Sequence, residues 1–75
     1  MQIERHDLLE LMRMEYLEMP DLRLTFDQAR RLWNLQPVVC EELLAVLINE
    51  GFLVTTREGS YCRPGSEHEA VRQSA

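Results

Sequence analysis

The stretch from Thr25 to Gly51, TFDQARRLWNLQPVVCEELLAVLINEG, limits what this chain can fold into more than any other. It reads as two helices joined by a short turn and closed by a glycine. Thr25 with Gln28 three residues on predicts a capping box, each side chain satisfying a backbone N–H at a helix start. Stepping about 100° per residue, Phe26, Ala29, Leu32 and Trp33 share one arc, while Asp27, Arg30, Arg31 and Asn34 share the other. Ala29 is small where a crossing helix must come close. Asn34-Leu35-Gln36-Pro37 predicts the turn. Leu35 plugs the angle between the helices, Gln36 stands at the N-cap, and Pro37 takes the first helical position, which needs no N–H. The next helix runs to about Glu50, with Gly51 as its left-handed stop. Its expected buried face is Cys40, Leu43, Leu44, Leu47 and Ile48. Its outward stripe is Val38, Glu41, Glu42, Ala45 and Asn49.

The flanks complete the pattern. Residues 4–19 predict a first helix with Leu8, Leu9, Met12, Tyr16 and Met19 facing the core and Glu4, Asp7, Glu10, Glu15 and Glu18 outside that arc. Ile3, Leu11, Met14 and Leu17 make a looser second apolar stripe, a candidate partner-facing strip. Pro20 ends the helix, because the residue before a proline is pushed from helical geometry. Leu22-Arg23-Leu24-Thr25 alternates as a short extended segment. Phe52–Thr56 and Ser60–Arg63 are β-prone runs around Arg57-Glu58-Gly59, a hairpin signal. Residues 64–75 are polar without sustained periodicity and are expected to be a flexible C-terminal tail.

Charge and cysteine content narrow the functions. The 75-residue chain carries a net charge of −5, and all its basic side chains other than histidine are arginine. Residues 1–21 hold a net −4 and 36–50 a net −3, against +2 over 22–35. A domain that neutralises phosphates usually shows a basic footprint, and this one lacks it globally. Cys40 and Cys62 are not spaced as a C-x-x-C pair and read as free thiols in a reducing cytosol, Cys40 on a buried helix face and Cys62 on the hairpin. With His6 and His68 they fit no zinc spacing, so neither metal nor cofactor is expected. Glu41 and Glu42 point about 100° apart on a helix, with no accompanying nucleophile, so no enzymatic role is expected. No apolar run approaches the ~18 residues of a membrane span, and a cytoplasmic protein is expected.

Taken in order, the capped helix with Ala29-x-x-Leu32, the turn, the helix ending Leu47-x-x-x-Gly51-Phe52-Leu53 and the Gly59 hairpin resemble the winged helix-turn-helix of bacterial transcription regulators. The similarity covers roughly residues 8–63. The run from Leu24 to Leu44 also resembles small stand-alone bacterial winged-helix proteins. The resemblance implies a mainly α domain with a small β-hairpin (α+β), order α1-β-α2-α3-β-β, spanning residues 1–63. It implies that the helix from Pro37 lies in a DNA major groove, with Gln36, Val38, Glu41, Glu42 and Ala45 facing bases. Arg30 and Arg31 would border the backbone, and the hairpin with Arg57 and Arg63 would reach an adjacent groove or phosphate. That places the chain in transcriptional regulation, bound to double-stranded DNA as a homodimer. The sequence departs from a typical DNA reader at Glu41 and Glu42, where two carboxylates meet phosphates and no cation stands beside them. Arg23, Arg30, Arg31, Arg57 and Arg63 are the flanking cations that would compensate. The alternative is a winged helix that binds a protein through the acidic face of its third helix, without DNA.

Overall fold

The computed structural model describes residues 4–66. Its elements run α1 (Arg5–Glu18), β1 (Arg23–Thr25), α2 (Phe26–Trp33), α3 (Pro37–Asn49), β2 (Val54–Thr55) and β3 (Ser60–Cys62), an α+β domain of three helices and a small sheet. This is the order that the sequence predicts. The sheet is antiparallel, with β3 between β1 and β2. Its register sets Leu24 opposite Tyr61, and both Arg23 and Val54 opposite Cys62.

Local chemistry explains each boundary. The capping box forms: the Gln28 backbone N–H donates to Thr25 Oγ1 at 3.2 Å, and the Thr25 N–H donates to Gln28 Oε1 at 2.9 Å. Asn34 ends α2 at φ 54°, a left-handed position that asparagine tolerates better than most side chains, and its N–H returns to the Arg30 carbonyl. Leu35 follows and is buried. Pro37 then opens α3 from an extended Gln36 that makes no side-chain cap. At the far end the Phe52 N–H donates to Leu47 O at 2.9 Å and the Gly51 N–H to Ile48 O at 3.0 Å. That double return is the Schellman arrangement, and Gly51 supplies its positive φ of 81°. In the hairpin, Thr56 and Ser60 close a three-residue loop with Gly59 at φ 86°.

The core is Met12 and Tyr16 of α1, Leu24 of β1, Ala29 and Trp33 of α2, the turn residue Leu35, then Cys40, Leu43, Leu44 and Leu47 of α3, and finally Leu53. Tyr16 lies at its centre, 6.4 Å from Trp33 and 6.5 Å edge-on to Phe52 by ring centroids, with its hydroxyl donating to Tyr61 O at 2.8 Å. Cys62 is fully buried, as Cys40 is.

Three expectations are corrected. Leu32 is 52% exposed. The α2 arc centres on Ala29 and Trp33, and Leu32 stands about 80° off that centre. Ile48 is exposed for the same reason, at the rim of the arc defined by Cys40, Leu43, Leu44 and Leu47. Met19 is exposed because it is the C-cap of α1, at φ −128° and ψ 81°, so its side chain leaves the helical stripe. Beyond residue 63, Ser66 packs against the segment that joins α1 to β1. Ser66 is buried, its hydroxyl donates to Pro20 O at 2.8 Å, and Arg23 donates to its carbonyl. The rest of the expected tail, and Ile3 and His68, lie outside the described residues.

Candidate functional site

The outward surface of α3 exists because its apolar residues recur at 40, 43, 44 and 47, which buries one stripe and leaves the opposite one to solvent. Val38 is 63% exposed at the first turn, and Glu41, Ala45 and Asn49 continue the surface. Gln36 is exposed just before it. Glu42 is exposed but paired. Arg5 of α1 reaches it at 3.1 Å. The two glutamates, adjacent in sequence, therefore differ in surroundings: Glu42 turns to α1 and Glu41 to solvent.

A second pair, from α1 to the C-cap of α3, repeats this geometry one stretch further on. Arg13 donates to both carboxylate oxygens of Glu50, at 2.7 and 2.9 Å, and also to Glu10 at 2.7 Å. The Glu50 hydrogen bonds are the main reason that the Arg13 guanidinium holds its proton more tightly than usual. Arg5–Glu42 and Arg13–Glu50 share one sequence offset, 37 residues, so α1 and α3 lie side by side in the same direction. Nothing local in the sequence marks these partners. The offset follows from tertiary packing, and residue spacing along the chain does not single out Arg5 or Arg13.

The flanking arginines are mostly engaged within the domain. Arg63 stacks on the Phe52 ring, 4.0 Å from its centroid, and donates to the Phe52 carbonyl. Arg23 holds Ser66 O. Arg30 is half-buried, with Nε 3.4 Å from Leu35 O and a guanidinium nitrogen 3.9 Å from Asp27. Arg31 and Arg57 differ: both are exposed and neither has an ion pair among the described residues. Of the residues that the sequence singled out, the fold keeps Gln36, Val38, Glu41 and Ala45 on the exposed surface of one helix and its entry. It leaves Arg31 and Arg57 as open cations on α2 and the hairpin.

Among the described residues no three His, Cys, Asp or Glu side chains are grouped to hold a metal. Burial pushes the Cys40 thiol up, and its Sγ faces the Phe26 carbonyl at 4.0 Å. No described helix is long and apolar enough to cross a membrane. No family model matches this chain, and no curated protein or solved structure compared with it does either.

Proposed function

We propose that the chain is a winged-helix domain that works by protein contact, offering the exposed face of α3 to a partner protein instead of inserting it into DNA. The element order, the αL turn at Asn34 and the hairpin packed beside β1 support the winged-helix assignment. One observation carries the functional reading: the outward face of α3 holds Val38, Glu41, Glu42, Ala45 and Asn49 and no cation of its own, Arg5 of α1 alone pairing with Glu42 among the described residues. Three of the five arginines that would offset its acids are engaged elsewhere, Arg23 with Ser66, Arg63 with Phe52 and Arg30 with Leu35 and Asp27. A phosphate-lined groove repels such a face, whereas an exposed valine beside a carboxylate suits a protein surface of mixed character.

The test compares affinity captures made with the parent and with Val38→Ser/Glu41→Arg. Loss of the captured partner in the variant, at unchanged circular dichroism, is expected. The same partners retained by both proteins overturn the proposal. Arg31 and Arg57 favour a second reading, DNA binding through α2 and the hairpin. Under it, fluorescence anisotropy at low salt shows duplex binding that weakens steeply with salt and is lost in Arg31→Ala/Arg57→Ala. No duplex binding at low salt removes that reading.

A further inference from the structure

The outward side of α1 is a second surface, separate from the α3 face. Met12 and Tyr16 are fully buried, while Leu11, Met14 and Leu17 are 41%, 55% and 59% exposed. Leu11 and Met14 belong to a stripe with Asp7 and Glu18, at spacings of four, three and four residues, and Leu17 stands beside it. That spacing keeps four side chains in one line along a helix, an apolar centre with a carboxylate at each end. The line is about 16 Å long at 1.5 Å per residue.

The ion pairs to α3 give this stripe its character. Both arginines of α1 turn away from it, Arg5 to Glu42 and Arg13 to Glu50 and Glu10. Asp7 and Glu18 have no ion pair among the described residues. Glu18 also stands in the last turn of α1, which has no basic residue, so it opposes the helix dipole. A second copy of this chain is a poor occupant. Paired antiparallel, Asp7 meets Glu18, and paired parallel, like residues meet, so acid faces acid either way. A partner with apolar residues at its centre and cations at its ends complements the stripe in both respects. The four-three-four spacing matches the seam of a helix packed nearly parallel to α1.

We propose that the outward face of α1, Leu11 and Met14 with Leu17 between Asp7 and Glu18, docks a basic amphipathic helix of another protein. The probe is a synthetic leucine–lysine peptide of heptad pattern, with a scrambled peptide of identical composition beside it. Each is titrated into the full ¹⁵N-labelled chain. The patterned peptide shifts the resonances of Leu11, Met14 and Leu17, and the scrambled one does so at least about tenfold more weakly. Leu11→Ser/Met14→Ser/Leu17→Ser and, separately, Asp7→Lys/Glu18→Lys each lose affinity by a similar factor at unchanged circular dichroism. Equal binding of the two peptides overturns the proposal, since charge alone would then account for it. Shifts confined to Val38, Ala45 and Asn49 overturn it too, while leaving the α3 reading standing. So does light scattering that shows the chain dimerising through α1, with the dimer lost in the triple serine variant.

Discussion

Tyr16 joins three parts of the molecule through one side chain: its ring meets Trp33 and Phe52, and its hydroxyl meets the carbonyl of Tyr61 in the central strand. Tyr16→Phe keeps the ring and removes one hydrogen bond to that carbonyl, so it should destabilise the domain by about 0.5–1.5 kcal/mol at neutral pH, read by urea unfolding. The pH profile separates this effect from simple packing loss. Burial raises the phenol far above its ordinary value of 10.0. The folded state then holds a proton that the unfolded chain releases, so stability is full below the ordinary phenol range. It falls as pH rises through that range toward the raised folded-state value. Cys40 adds a fall of the same sign from the ordinary thiol range, near 9.0, but parent and variant share it. Between about pH 9 and 11 the parent should therefore lose stability faster than Tyr16→Phe. Parallel profiles would mean that the phenol is not held neutral by the fold.

At the scale of elements, the ends were legible and the faces partly so. The capping box, the turn leucine, Pro37 and Gly51 each act through neighbours within a few residues, so local sequence carried them. Gly51 allows a clean check, because an added Cβ there meets nothing within 4 Å. Gly51→Ala should thus cost about 1 kcal/mol from the positive φ alone, and a neutral result would show that the Schellman return does not hold α3. Leu32 and Ile48 show what periodicity leaves undecided: an apolar residue at the rim of an arc is buried only if another element reaches over it. Of the candidate site, the outward residues of α3 could be read from spacing, whereas the engagement of Arg63, Arg23 and Glu42 depends on contacts across the fold. α1 offers the opposite kind of test, a place where stability and the proposed contact conflict. Glu18→Gln removes a carboxylate from the negative end of the helix and should raise stability by ~0.3–1 kcal/mol, while weakening the leucine–lysine peptide. A variant that binds the peptide as before would remove Glu18 from the docking surface.

For the whole molecule, the proposed protein-contact reading raises the question of whether the fold or the charge would keep α3 from DNA. If the domain has winged-helix geometry, then α3 is already shaped for a major groove, and its surface chemistry alone excludes it. Glu41→Lys/Ala45→Lys/Asn49→Lys alters three exposed positions on that face and brings the net charge from −5 close to neutral. None of the three contributes to the core, so stability should hold to within about 0.5 kcal/mol. Duplex affinity should rise, with a slope of log K against log salt of about −0.9 for each phosphate that the new lysines neutralise. The same three lysines should also abolish the partner binding proposed for α3, and leave the α1 peptide site unchanged because Leu11, Met14 and Leu17 are untouched. A folded triple variant whose duplex affinity and salt dependence match the parent's would locate the obstacle in the shape of the domain, and the winged-helix assignment would then fail along with the DNA reading.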